Sequence, residues 1–130
     1  MKGTGFKKAI ADSWRLRREK RFPEAELVLH EALENCAEGD YARNTLRAQL
    51  ADVLLQQGKA GAAKELALEV LTKEPRQVTA LTVLGAAALE RKEYMEAVEN
   101  LTKAYEYAPN PFRAGRLARA LELDEQIGRA

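Results

Sequence analysis

The sequence has few of the residues that build catalytic and metal centres. Its 130 residues include one cysteine, Cys36, and one histidine, His30. A single cysteine excludes an intrachain disulfide and suits a reducing compartment. A Cys/His metal cluster needs several such ligands, and a nucleophile needs a basic partner, so neither kind of site is expected. The sequence predicts no cofactor, no metal and no enzymatic activity.

Long apolar runs, strand patterns and a strong net charge are missing as well. No segment approaches the roughly 20 apolar residues that span a bilayer, and Asp12 and Ser13 interrupt any apolar region of signal-peptide type near the N-terminus. No alternating β-branched run predicts a strand. The formal net charge is +1, which excludes a strong overall attraction to nucleic acid or membranes. We expect a cytoplasmic protein; a secreted domain processed from a longer precursor is the alternative.

What the chain does have is a helix-forming composition. Hydrophobic residues make up 46% and charged residues 32%, with Ala, Leu, Glu, Lys and Arg dominant. Apolar residues recur at helical spacing between breaks at proline and glycine, and Asp40 is predicted to cap the third helix. The class is all-α, in a single domain over 1–130. Seven helices are predicted, at about 6–21, 23–37, 41–57, 61–73, 76–91, 94–107 and 111–126, the last facing inward through Leu117, Ala118, Leu121 and Leu123.

The helices repeat as pairs. Pro109 lies 34 residues after Pro75, and a first pair fits the same pattern with an offset of 38. Small residues seven apart lie on one face of the second helix of each pair, where they allow close packing. The equivalent residues are Leu50 and Leu84, Ala51 and Gly85, Ala25, Ala63 and Ala97, and Ala32, Val70 and Ala104. A fixed period of this length is typical of a stacked helix-pair array.

The third unit carries a resemblance to a known family. Leu81, Leu84-Gly85, Ala88, Ala97, Leu101, Ala104 and Pro109 lie where the tetratricopeptide repeat (TPR) prefers large and small residues. The chain resembles that family over about 6–109. The resemblance implies a right-handed α-solenoid of three helix pairs, with repeat one at about 6–39, repeat two at about 44–77 and repeat three at about 78–111. The helix at about 111–126 would be a cap or a truncated fourth unit.

The resemblance also implies a function: a non-catalytic adaptor that binds a segment of a partner protein in its concave groove. The groove positions of the family hold Lys7, Trp14, Arg17, Arg18, Ala48, Gln49, Asp52, Leu55, Thr79, Thr82, Val83, Ala86, Leu89, Arg113 and Arg116. Ile10, Ala11, Thr45, Gln56, Glu90 and Leu117 occupy further such positions. A small apolar floor between basic ends predicts an apolar peptide or helix with acidic flanks. Trp14 either lines this groove or packs with Phe6 and Ile10 in the core.

Charge is distributed unevenly, which leaves other functions open. Residues 1–21 carry eight basic and two acidic residues, whereas residues 22–40 carry six acidic residues and no Lys or Arg. We expect the first two helices to neutralise each other. Nucleic-acid contact through the basic first helix is a minor alternative, because its cations spread around the helix. A self-associating scaffold, or part of a longer solenoid, is the main alternative to the adaptor.

Overall fold

The computed structural model describes residues 5–129, so Met1–Thr4 and Ala130 of the predicted domain lie outside the described residues. Within that range there are seven α-helices and no strand, as the sequence predicts. No helix in this range is long and apolar enough to cross a membrane. The helices are α1 (Gly5–Arg18), α2 (Phe22–Glu34), α3 (Asp40–Gln56), α4 (Ala60–Lys73), α5 (Val78–Glu90), α6 (Tyr94–Tyr107) and α7 (Pro111–Arg129).

The helices stack as three antiparallel pairs followed by α7. Each helix packs on the next one along the chain, and α3 also packs on α1 and α5. The first helix of every pair therefore lies on one side of the stack and the second helix on the other. Each pair is too thin to bury its own apolar faces, so each rests on the next pair, as in other repeat proteins.

A turn of one geometry ends the first helix of every pair. Lys20, Gly58 and Lys92 occupy equivalent positions and have positive φ angles of 63°, 82° and 64°. In each turn the backbone N–H of this residue donates to the carbonyl three residues earlier at 3.0 Å, and the next N–H donates five residues back at 2.8–2.9 Å. This is the Schellman motif. It ends α1 at Arg18, whereas the sequence predicts helix to residue 21.

Helix starts also differ from prediction in detail. Gly39, with φ 103°, is the N-cap of α3, so the prediction that Asp40 caps this helix is wrong; Asp40 is its first residue. Gln77 caps α5, because its Oε1 accepts a hydrogen bond from the N–H of Ala80 at 3.0 Å. That cap starts α5 at Val78, two residues later than predicted. Asn110 caps α7 in the same way, accepting from the N–H of Arg113 at 2.8 Å.

The core divides into three apolar clusters, one for each pair and the first helix after it. The first joins α1, α2 and α3, the second joins α3, α4 and α5, and the third joins α5, α6 and α7. Ala25, Ala63 and Ala97 are each fully buried, which confirms that this repeated small position is a close contact between helices. The spacing of small residues in the sequence therefore marks where the helices of a pair approach each other.

The last helix packs through a different face from the one predicted. Ala120 is fully buried and Leu117 partly buried, in the cluster with Ala88 and Ala97. Leu121 is 48% exposed, and Ala118 is exposed as well, so the prediction that they face inward is wrong. The reason is tertiary: within residues 5–129, helices pack against one side of α7 only, and its apolar residues outnumber the positions that they cover.

Candidate functional site

A concave cavity of about 740 Å³ lies along the side of the stack formed by α1, α3, α5 and the start of α7. We call it the groove. Ten residues predicted from the sequence line it: Trp14, Arg17, Asp52, Leu55, Thr79, Thr82, Ala86, Leu89, Arg113 and Arg116. Its volume falls within the roughly 300–1,000 Å³ of typical ligand sites. The first helices bring these residues together because they lie side by side.

Five predicted residues do not line the groove. Ala48 and Val83 are fully buried in the second core cluster, so the prediction that they line the groove is wrong. Gln49 is half-buried and outside the lining, and its Oε1 accepts a hydrogen bond from Arg17. Lys7 and Arg18 are exposed outside the lining. Fewer residues of α3 and α5 line the groove than the family positions suggest, because both helices also pack against the helices beside them.

Four further residues line the groove. Gln56 and Glu90 occupy family positions that the sequence indicates, but Asn110 and Phe112 do not. Phe112 is 84% exposed in the first turn of α7. The only signal for it in the sequence is an aromatic residue next to Pro111, ahead of the two arginines at 113 and 116.

Arg17 is the most connected side chain of the groove. Its Nε donates to Gln56 Oε1 at 2.6 Å, its Nη1 donates to Gln49 Oε1 at 3.1 Å, and its Nη2 forms an ion pair with Asp52. The side chain is only 3% exposed, and that of Asp52 is 20% exposed. A buried arginine needs such partners, because an uncompensated buried charge is strongly unfavourable.

Trp14 lies in the groove wall and not in the core. It is 41% exposed, and the guanidinium carbon of Arg17 lies 3.7 Å from its ring centroid. This is a cation–π stack. Of the two positions that the sequence left open for Trp14, the structure therefore has the groove position, whereas Phe6 and Ile10 pack against the first core cluster.

Arginines at the two ends of the groove are in different states. At the α1 end, the charge of Arg17 is neutralised by Asp52. At the α7 end, Arg113 donates from Nη1 to the carbonyl of Ala108 at 2.9 Å, and neither it nor Arg116 is in an ion pair with a described residue. Of the charged residues that line the groove, Arg17 and Asp52 therefore cancel each other, and Arg113 and Arg116 outnumber the one other acid, Glu90.

The expected neutralisation of α1 by α2 takes a different form. Arg15 pairs with Glu19, Arg17 pairs with Asp52 of α3, and Arg21 pairs with Glu19 and with Glu24, which is the one acid of α2 in this set. Arg15, Arg17 and Arg21 are thus paired mainly within their own turn and with α3, which reduces the charge available for phosphates. Arg18 and Lys20 are in no ion pair with a described residue.

The lone histidine and cysteine lie away from the groove. His30 is on the exposed face of α2, with Nε2 3.5 Å from Glu26. Cys36 is partly buried beside a smaller cavity of about 260 Å³, and its Sγ donates to Glu38 at 3.4 Å. Burial opposes ionisation of Glu38, but hydrogen bonds from Cys36 and from the N–H groups of Phe6 and Ala37 lower its pKa. Glu38 thereby holds the start of α1.

Similar folds are found among solved structures. The TPR domain of P58(IPK) superposes with a TM-score of 0.82 and 21% identity over 96% of this chain, which spans 35% of that chain. The TPR domain of Sgt2 from Aspergillus fumigatus gives 0.80 and 18%, covering 96% of this chain and 82% of the other. A tetratricopeptide repeat protein from Parabacteroides merdae gives 0.71 and 18%, covering 97% and 48%.

No family model and no curated protein matches the sequence. At identities of 18–21%, the structural likeness establishes the fold. It confirms the all-α repeat architecture that the 34-residue pattern predicts.

Proposed function

Because the chain has the tetratricopeptide-repeat fold, we propose that it is a non-catalytic adaptor that binds a segment of a partner protein in the groove. The observation that carries this proposal is the preformed cavity of about 740 Å³, lined by the first helices and the start of α7. A preformed site saves the ordering cost that a flexible surface would incur on binding. A cytoplasmic location suits the single free cysteine.

The groove favours an apolar segment with an acidic residue. Leu55, Ala86 and Leu89 offer an apolar floor, and Arg113 and Arg116 offer positive charge at the α7 end. The sequence suggests acidic flanks on both sides of the partner, but Arg17 is already paired with Asp52, so we propose one acidic flank. Two or three apolar anchors of about 1.5–3 kcal/mol each, less the cost of ordering, correspond to roughly micromolar affinity.

The test is selection of peptides from a displayed random library, followed by titration. Trp14 is the single tryptophan and lies in the groove, so its emission reports occupancy directly. We expect selected peptides to change this emission and to bind at micromolar concentrations. Leu55→Arg and Ala86→Arg each place a charge on the apolar floor and should weaken binding about ten-fold or more.

The matched control is Leu68→Arg, which adds the same charge to a side chain that is 46% exposed on α4 and outside the groove lining. It should leave peptide affinity unchanged. If the two groove variants bind the selected peptides as tightly as the parent does, the groove is not the binding surface and the proposal is wrong.

Self-association is the second candidate, and the outer face of α7 favours it. Leu121, which is 48% exposed, and the exposed Ala118 lie one turn apart there, and no described helix covers them. Exposed apolar patches of this kind mark contact surfaces in many proteins. Light scattering across a range of concentrations tests it: a mass that rises with concentration, and that Leu121→Lys returns to the monomer value, supports a scaffold role.

A further inference from the structure

The two junctions between repeats use the same positions with opposite chemistry. Leu55 joins repeat two to repeat three and belongs to one apolar cluster with Val83 of α5. The residue equivalent to Leu55 in repeat one is Arg17, 38 positions earlier, and the residue equivalent to Val83 in α3 is Gln49, 34 positions earlier. Asp52 likewise stands where α5 has Ala86. The first junction is therefore polar where the second is apolar.

The polar junction adds almost no net charge to the groove. Three nitrogens of Arg17 donate to Gln49, Asp52 and Gln56, and the side chain is 3% exposed. The guanidinium thus already has hydrogen-bond acceptors within the protein on all three nitrogens. A carboxylate from a partner would have to displace Asp52 or approach a dipole instead of a free charge, so the pair disfavours acidic groups at this end.

Arg17, one member of this pair, also stacks on Trp14. One contact of the indole is with the guanidinium of Arg17 at 3.7 Å, while 41% of the residue remains exposed along the groove. An aromatic ring held in this way offers a flat apolar contact and loses little side-chain entropy on binding. An apolar side chain suits it better than a charged one.

We infer that Arg17 and Asp52 set the specificity of the α1 end of the groove. Arg17 positions Trp14 as a flat aromatic contact surface, and Asp52 cancels the charge of Arg17 beside it. The partner places an apolar side chain against Trp14, and its acidic residue lies at the α7 end beside Arg113 and Arg116. Arg17 is a positioning residue, and Asp52 is the residue that cancels its charge. This inference rests on the proposed function, and it gives the bound segment a single direction.

The first experiment needs no partner. Quenching of Trp14 emission by iodide, relative to neutral acrylamide, measures the local charge at constant ionic strength. Exposed Arg18 lies one turn from Trp14, so the baseline protein carries Arg18→Gln, and it should give a ratio close to that of N-acetyltryptophanamide, an uncharged reference. Asp52→Asn leaves Arg17 uncompensated and should raise the iodide ratio about two-fold or more at low salt. Asp40→Asn removes the same charge at the far end of α3 and should not change the ratio.

Two results would overturn the inference. One is an Arg18→Gln protein whose iodide ratio still lies well above the reference, because Trp14 would then lie beside further free positive charge. The other is an Asp52→Asn change in that protein, folded by circular dichroism, that leaves the ratio unchanged. The Arg18→Gln measurement stands even if the protein with Asp52→Asn does not fold.

The second experiment uses two synthetic peptides with one apolar sequence taken from the library selection, with a glutamate at one end or at the other. The parent should prefer one of them about five-fold or more, and Asp52→Asn should reduce that preference. If both peptides bind the parent equally well and Leu55→Arg weakens the binding of both, the inference is refuted and the proposed function stands. If Leu55→Arg and Ala86→Arg bind as well as the parent, it is the proposed function that fails.

Discussion

The contact between Gly85 of α5 and Leu101 of α6 predicts that Gly85→Ala changes stability in opposite directions in two backgrounds. It should destabilise the parent protein and stabilise a protein in which Leu101 is replaced by alanine. A Cβ added at Gly85 would lie 2.5 Å from both Cγ and Cδ2 of Leu101, whereas carbon atoms in contact are normally about 3.5–4.0 Å apart. Leu101 is only 2% exposed, so it has little room to move. In repeat two the equivalent residues are Ala51 and Ala67, so that pair accommodates the Cβ by having a smaller partner.

The magnitudes follow from these distances. Overpacking of a core costs about 1–3 kcal/mol, and a clash with the branch point of a buried leucine belongs at the upper end. Replacing glycine by alanine inside a helix returns about 1 kcal/mol of propensity. Gly85→Ala should therefore destabilise the protein by about 2 kcal/mol. Leu101→Ala should cost about 3 kcal/mol through lost burial and a cavity.

The double variant Gly85→Ala/Leu101→Ala recreates the pair found in repeat two. With the leucine gone, the nearest remaining atom to the new methyl group is the carbonyl oxygen of Ala97 at 3.4 Å, an ordinary van der Waals contact. Gly85→Ala should therefore stabilise the Leu101→Ala protein by about 1 kcal/mol. Urea unfolding, followed by circular dichroism and by Trp14 emission, measures all four proteins. Gly115→Ala is the matched control, because nothing lies within 4 Å of its new Cβ, and it should be stabilising. If Gly85→Ala destabilises both backgrounds equally, Leu101 is not the obstacle.

Three other perturbations follow from the structure. Lys92→Gly should raise the free energy of unfolding by up to about 1 kcal/mol in urea titrations, because φ is 64° there; no gain would argue against strain in this turn. A hydrogen bond from Gln57 and the charge of Lys59 lower the pKa of Glu26 below 4.5, and burial opposes this shift only in part. Its stabilisation is therefore present above about pH 4.5 and lost as the pH falls through the lowered value, so the deficit of Glu26→Gln should shrink in acid. A deficit independent of pH would refute this. Phe112→Ala should change stability by less than about 0.5 kcal/mol but weaken peptide binding; unchanged affinity would place Phe112 outside the site.

The repeat register could be read from the sequence, but the helix ends could not. Glu19, Lys20 and Arg21 are good helix formers, and nothing in their local sequence predicts the positive φ of Lys20. Comparison with Gly58, at the equivalent position, is the one signal that could have found this turn. The turn forms because the next helix must return along the first, and packing outweighs local propensity.

Groove residues show the same division. The family positions identify Leu55 and Ala86 correctly as lining residues, because the distance between equivalent positions fixes the helical face. The burial of Ala48 and Val83 depends on the neighbouring helices, and no pattern within one helix contains it. The ion pair of Arg17 with Asp52 joins residues 35 positions apart, so the charge count along the chain could not show that α3, and not α2, neutralises Arg17.

The sequence by itself determined the helical class, the 34-residue period and the inward side of the first six helices, because side-chain spacing along a helix is set by local geometry. Only the tertiary structure decided which cations are paired with a carboxylate, that Trp14 lines the groove, and that α7 leaves Leu121 exposed. Those features depend on which residues of neighbouring helices come into contact. Burial and electrostatic energies are determined by neighbours in space, and such neighbours are far apart in the sequence.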